Sequence, residues 1–179
     1  MLKFSTERLY LREMTQNDFP ALSRILRDPE VMYAYEGAFT EAETQAWLDN
    51  QFRRYAETGM GLWAVCLKET DDMIGQCGLT LQQWKELTLT EVGYLFQKAY
   101  WHQGYAAEAA RDCRDFAFET MDIPAVCSII RDTNRASQKV AERNGMKRMD
   151  SWVKHYHGVD MTHFRYEISR ADWEKLTGG

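Results

Sequence analysis

The sequence predicts a mixed α/β fold: a mostly antiparallel sheet of about seven strands combined with helices. Three observations carry this. Runs with strand character cluster in the middle and at the end of the chain, while runs with helical spacing precede and separate them. One short, nearly continuous apolar run, Ala125 to Ile130, lies between two helical stretches, as a strand covered on both faces would. Strands and helices do not alternate throughout, which sets the chain apart from doubly wound sheets.

Taken in order, Leu9, Leu11 and Met14 suggest an opening strand, bounded by the capping-box pattern Thr15-Gln16-Asn17-Asp18. Phe19, Leu22, Ile25 and Leu26 follow at helical spacing, and Asp28-Pro29 stops that helix. A second capping box, Thr40-Glu41-Ala42-Glu43, opens a helix carrying Trp47, Leu48, Phe52 and Tyr55, which Gly59 and Gly61 end. Leu62 to Leu67 and Met73 to Leu81 read as strands around an Asp71-Asp72 turn, and Glu91 to Phe96 as a third. Ala106 to Glu119 is a helix with a sheet-facing stripe of Ala109, Cys113, Phe116 and Ala117. Asn134 to Asn144 is a helix closed by Gly145, and Met146 to His157 pairs with Met161 to Ile168 across Gly158 as a closing hairpin.

Composition narrows the class. The 179 residues fit one domain, 1–179, and no Pro-, Gly- or Ser-rich linker divides them. Apolar content of 45% is ample for a core. A net charge of −5 argues against a nucleic-acid partner and is compatible with a cationic substrate. No apolar stretch approaches the roughly 20 residues that cross a bilayer, so no membrane partner is expected. The N-terminus carries charges where a signal peptide needs an apolar run. Cys66, Cys77, Cys113 and Cys127 form no C-x-x-C pair and read as reduced, mostly buried thiols of a cytoplasmic protein. His102, His155, His157 and His163 offer no three-ligand set, so no metal is expected. The aromatics Trp47, Phe52, Tyr55, Trp63 and Trp84 read as core or pocket wall. Trp84 lies in the polar stretch Gln82 to Glu86 and is open to a second reading, as an exposed contact or dimer surface; the chain is expected to be a monomer or a homodimer.

The segment with most chemistry is Glu91 to Ala109. A buried strand runs into Trp101-His102-Gln103-Gly104-Tyr105-Ala106, and small residues open the next helix. Unpaired N–H groups and the positive end of the helix dipole hold an anion there without a lysine. Gly104 permits close backbone approach, and Ala106 and Ala107 keep side chains away. An ordinary strand-to-helix turn shares these features. Downstream, Asn134 is placed as an N-cap or as a polar group reaching a ligand, with Ser137 one turn later.

Together these segments resemble the GNAT acetyltransferase superfamily, in the branch of the ribosomal-protein alanine N-acetyltransferases of the Rim type. Thr6-Glu7-Arg8-Leu9-Tyr10-Leu11-Arg12 is similar to that branch's first strand. Tyr100-Trp101 to Ala109 is similar to its acetyl-CoA turn, and Asn134-Arg135-Ala136-Ser137 with Glu142-Arg143-Asn144-Gly145-Met146 to its second signature. Met146 stands where Phe is usual, and Trp101 where the wider superfamily often has Gln or Arg.

The resemblance implies the acyl-CoA N-acyltransferase fold, with helices on both faces and a splayed central strand pair. It implies acetyl-CoA as co-substrate and no metal, with the pantetheine along Tyr94-Leu95-Phe96 and splayed from the strand at Ile129. It implies the pyrophosphate on the backbone of Gln103, Gly104, Tyr105, Ala106 and Ala107, Asn134 on the pantetheine, and Arg143 near the nucleotide end. The acceptor would be a primary amine, either a protein N-terminus or a small molecule, attacked directly in a ternary complex.

An amine with a pKa near 10 needs a general base at neutral pH. Glu91, at the head of the strand leading to the turn, is the first candidate, against the alternative of a surface carboxylate. Glu36, between the two early helices, is the second. A backbone N–H of the Leu95-Phe96 strand would hold the oxyanion. Ser137 would protonate the thiolate, with Tyr100, Tyr105 and Tyr156 as alternatives. A catalytically silent acyl-CoA-binding module is the competing function; it would keep the turn and lack base and acid.

Overall fold

A computed structural model describes residues 1–35, 37–156 and 158–178, the side chain of Tyr156 excepted. Two short strands, β1 (Leu2–Ser5) and β2 (Leu9–Arg12), precede α1 (Phe19–Leu26) and α2 (Glu41–Thr58). A meander of β3 (Gly61–Leu67), β4 (Met73–Trp84) and β5 (Leu87–Phe96) leads to α3 (Tyr105–Glu119) and β6 (Ala125–Arg131). After α4 (Arg135–Arg143), the hairpin of β7 (Lys147–Tyr156) and β8 (Val159–Ser169) ends in α5 (Arg170–Thr177).

The strands form one eight-stranded sheet in the order β1-β2-β3-β4-β5-β6-β8-β7. All neighbours are antiparallel except β5 and β6, which are parallel and in register only at Glu91 and Cys127. Past that point the ladder stops, and a side chain takes over: Ser128 Oγ donates to the Val92 carbonyl at 2.9 Å. The sheet therefore splits at its centre.

Strand alternation assigns the two faces. Trp63 and Val65 of β3 join Ala109, Cys113 and Ala117 of α3 in one core. Their neighbours Leu62, Ala64 and Cys66 join Leu22, Ile25 and Leu26 of α1 and Leu48 of α2 in the other. Helices thus cover both faces. Local chemistry sets the helix ends. Thr40 Oγ1 accepts from Glu43 N at 3.2 Å and Glu43 Oε2 accepts from Thr40 N at 2.7 Å, closing the box that opens α2. At the core of the meander, a Cβ on Gly78 would lie 1.9 Å from the Gly61 carbonyl oxygen, so only glycine lets β3 and β4 lie so close.

Three features differ from the sequence reading. An additional strand, β1, pairs with β2, so the sheet has eight strands rather than seven. A C-terminal helix, α5, follows the closing hairpin. The β4–β5 hairpin also runs on to Trp84 and Leu87, with Lys85 at φ 53° in its turn. Trp84 is accordingly no exposed contact. It is fully buried, edge-on to Trp152 at 5.6 Å, and its Nε1 donates to Asp150 at 3.3 Å.

Candidate active site

At the start of α3, Gly104 takes φ +82°, turning the chain into the helix. The first helical bond here is from Glu108 N to the Gly104 carbonyl, at 3.0 Å. The N–H groups of Gln103, Gly104, Tyr105, Ala106 and Ala107 donate to no acceptor among the described residues. Five free donors at the positive end of a fifteen-residue helix fit an anion with several oxygens. Trp101 does not enter this cradle; its Nε1 donates to the Phe96 carbonyl at 3.0 Å, bracing the turn against the end of β5.

The split between β5 and β6 opens a cleft of about 430 Å³. Its walls include Glu91, Tyr94 and Leu95 of β5, Ile129 of β6, and Asn134 and Ser137 at the head of α4. Leu95 is paired with Gln76, and Gln97 N donates to the Ile74 carbonyl at 2.9 Å. Alternation along the strand then turns the backbone of Tyr94 and Phe96 towards the split and that of Leu95 towards β4. The Phe96 carbonyl is taken by Trp101, and its side chain is buried in the core. Tyr94 is the residue whose backbone is left open to the cleft.

Glu91 lines this cleft, half-buried. Its Oε1 is 3.2 Å from where a Gly93 Cβ would be, so the missing side chain makes room for it. Burial pushes its carboxyl up to about 7, against the opposing pull of Lys154, Arg54 and the backbone N–H of Ile129. Across the split, Asn134 Oδ1 caps α4 by accepting from Ser137 N at 3.1 Å. Its Nδ2 and Ser137 Oγ make no hydrogen bond among the described residues. Tyr94 Oη donates to the Ser137 carbonyl at 3.0 Å, tying the two walls together, and burial holds this phenol well above its ordinary range.

A strand with an open edge runs from a perturbed carboxylate to a ring of free amides, and residues 8–147 match the acetyltransferase (GNAT) domain model. The chain belongs to the GNAT acetyltransferase family. It is 36% identical to the protein YkkB of Bacillus subtilis (strain 168), over 85% of this chain and 91% of that one. The crystal structure of an acetyltransferase from Agrobacterium tumefaciens str. C58 superposes with a TM-score of 0.77 at 30% identity, over 93% of this chain and 94% of that one. RimL, a ribosomal L7/L12 alpha-N-protein acetyltransferase solved in complex with coenzyme A, shares the fold. Its TM-score is 0.79 at 15% identity, over 94% of this chain and 98% of that one.

In this acetyltransferase, the remaining anticipated residues are distributed over several elements. Arg143 is exposed at the C-terminal end of α4. Tyr100 and Tyr105 meet edge-on at 6.4 Å beside the turn, outside the cleft walls. Glu36, His157 and the side chain of Tyr156 lie outside the described residues. His102 stands exposed in the turn at φ 61°, and the exposed His155 pairs with Asp160.

Other residues of the acetyltransferase site escaped the sequence reading. Arg8 Nη1 donates to the Gln103 carbonyl at 2.9 Å, its guanidinium stacks 4.3 Å above the Tyr105 ring, and its Nε holds Glu108 at 2.7 Å. Glu108, 7% exposed, also accepts from Thr6 Oγ1 and from Arg8 N at 2.8 Å. Burial raises its pKa, but these bonds outweigh that and hold it below the usual range. A cation is thus fixed beside the amides, which the motif Thr6-Glu7-Arg8 signals only once its partner 100 residues away is known. Arg54, Lys154 and His163 join the cleft walls from three separate elements.

Proposed function

We propose that the chain transfers the acetyl group of acetyl-CoA directly to a primary amine, both held in one complex, as a single N-acetyltransferase domain over residues 1–179. One observation carries this reading: the open edge of β5 has Glu91 at one end and the free amides of Gln103 to Ala107 just beyond the other. The amides hold the pyrophosphate, with Arg8 adding positive charge beside them. The Tyr94 backbone bonds the pantetheine as a neighbouring strand would, and Asn134 Nδ2 donates to it from the opposite wall. Acetyl-CoA, when bound, supplies the thioester carbonyl.

Glu91 takes the proton of the incoming amine. With a pKa of about 7 it is about half ionised at neutral pH, where a general base is effective. The N–H group of Tyr94 faces the split and stabilises the oxygen that gains charge. Ser137 Oγ, free of other bonds, gives a proton to the departing thiolate. All four cysteines are buried and unpaired, which supports a reducing, cytoplasmic setting.

A thiol-release assay over a panel of primary amines tests the proposal. Acceptor-dependent thiol is expected. Acetyl-CoA binding without acceptor-dependent thiol would reject transfer and leave a binding module.

A further inference from the structure

Among the described residues, the acceptor end of the cleft carries more positive than negative charge. Arg54 reaches it from α2 and Lys154 from β7, both half-buried, and both act on the charge of Glu91. Neither comes within ion-pair distance of Glu91 or of any other carboxylate among the described residues. Among the described residues the Arg54 guanidinium makes only a long contact, 3.5 Å, to Gln51 Oε1. Lys154 Nζ has no hydrogen bond among the described residues; it lies 5.5 Å from the Trp152 ring and 5.7 Å from the Trp84 ring. Those rings fix the ammonium in place without neutralising it. Two partly desolvated cations facing one carboxylate leave a surplus that an anionic ligand group would satisfy. Burial lowers the pKa of both, as it does for cations short of partners.

We infer that the acceptor is an amine whose own molecule carries a carboxylate, held by Arg54 and Lys154 while the amine faces Glu91. The inference rests on the acetyltransferase reading and narrows its acceptor. It also opposes the expectation from net charge: the molecule is acidic overall, yet a polyamine would meet two cations at this end of the cleft.

The test uses matched pairs, each L-amino acid against its own carboxamide, with spermidine and with O-phosphoethanolamine against ethanolamine as further arms. Two readouts are taken: thiol release, and calorimetric titration into the protein–CoA complex. A charge-assisted contact predicts at least about a tenfold preference for the carboxylate member in both. Lys154→Met and Arg54→Gln should each shrink that preference about tenfold, and Lys154→Arg should retain it, with acetyl-CoA affinity reporting that each variant is folded.

Equal or better binding of carboxamides or spermidine, no binding by any carboxylate, or a preference confined to the phosphate arm would overturn the inference. Variants that weaken both members of a pair alike would do the same. Carboxylate-selective binding with no thiol from any amine would instead sink the acetyltransferase reading and leave the anion site standing.

Discussion

Replacing Glu91 by Gln should make the protein more stable and much less active, and both effects should follow pH. In the unfolded chain this carboxyl titrates near 4.5, and in the fold near 7. Between those values the folded state keeps a proton that the unfolded state has released. Folding stability contributed by this group is therefore greatest below pH 4.5 and declines as pH rises through 7. At about 1.4 kcal/mol per pH unit, the cost amounts to about 3 kcal/mol above pH 7. Glutamine is neutral throughout and still offers an oxygen to Ile129 N–H, so it avoids that cost. Urea unfolding at pH 8 should show Glu91→Gln more stable by up to about 3 kcal/mol, with the gain absent near pH 4.5. Loss of the base should lower turnover by about 10²–10⁴. Below pH 7 the wild-type advantage should fall about tenfold per pH unit, a ratio that cancels the titration of the amine itself. A stability difference that ignores pH, or an activity ratio flat from pH 5 to 8, would refute the placement of a desolvated base in the cleft.

Gly104→Val forces a branched residue to φ +82° with its Cβ 3.3 Å from Arg8 Nη2, at the centre of the free amides. Acetyl-CoA affinity measured by calorimetry should fall by at least about tenfold, and an unchanged value would remove the pyrophosphate from this turn. Ser137→Ala should lower turnover while leaving acetyl-CoA affinity nearly intact, because the bonds of Ser137 N and of its carbonyl survive the change; unchanged turnover would pass the proton to another donor. Gly78→Ala should cost about 3 kcal/mol or more in urea unfolding, since its Cβ cannot stand 1.9 Å from a backbone oxygen; a loss under about 1 kcal/mol would mean that β3 and β4 yield freely.

The elements legible from sequence are those whose signals are local. The Thr40–Glu43 box and the left-handed Gly59 mark the two ends of α2, each from its own few residues. Asn134 and Gly145 do the same for α4. β1 is legible only through its partner, because four residues with a register shift between Leu2 and Phe4 show no clean alternation. The exposed-contact alternative for Trp84 fails for a related reason. Its polar neighbours in sequence say nothing of Trp152 and Asp150, which arrive from β7 and bury it. The site divides along the same line. The turn, Glu91, Tyr94, Asn134 and Ser137 belong to continuous segments, whereas Arg8, Arg54, Lys154 and His163 are gathered by topology alone.

The interruption between β5 and β6 also bears on how the protein stays apart from its own copies. Strand edges with free backbone groups invite pairing with other chains. The outer edges of this sheet are guarded: β1 has only four residues, and β7 carries Lys147, Arg148 and Asp150. The unguarded edge is the one at Tyr94, and it faces inward, flanked by β6 and α4. A slender extended arm can enter that slot, whereas a strand of another folded molecule cannot. The same missing rungs that admit a ligand are thereby withheld from aggregation.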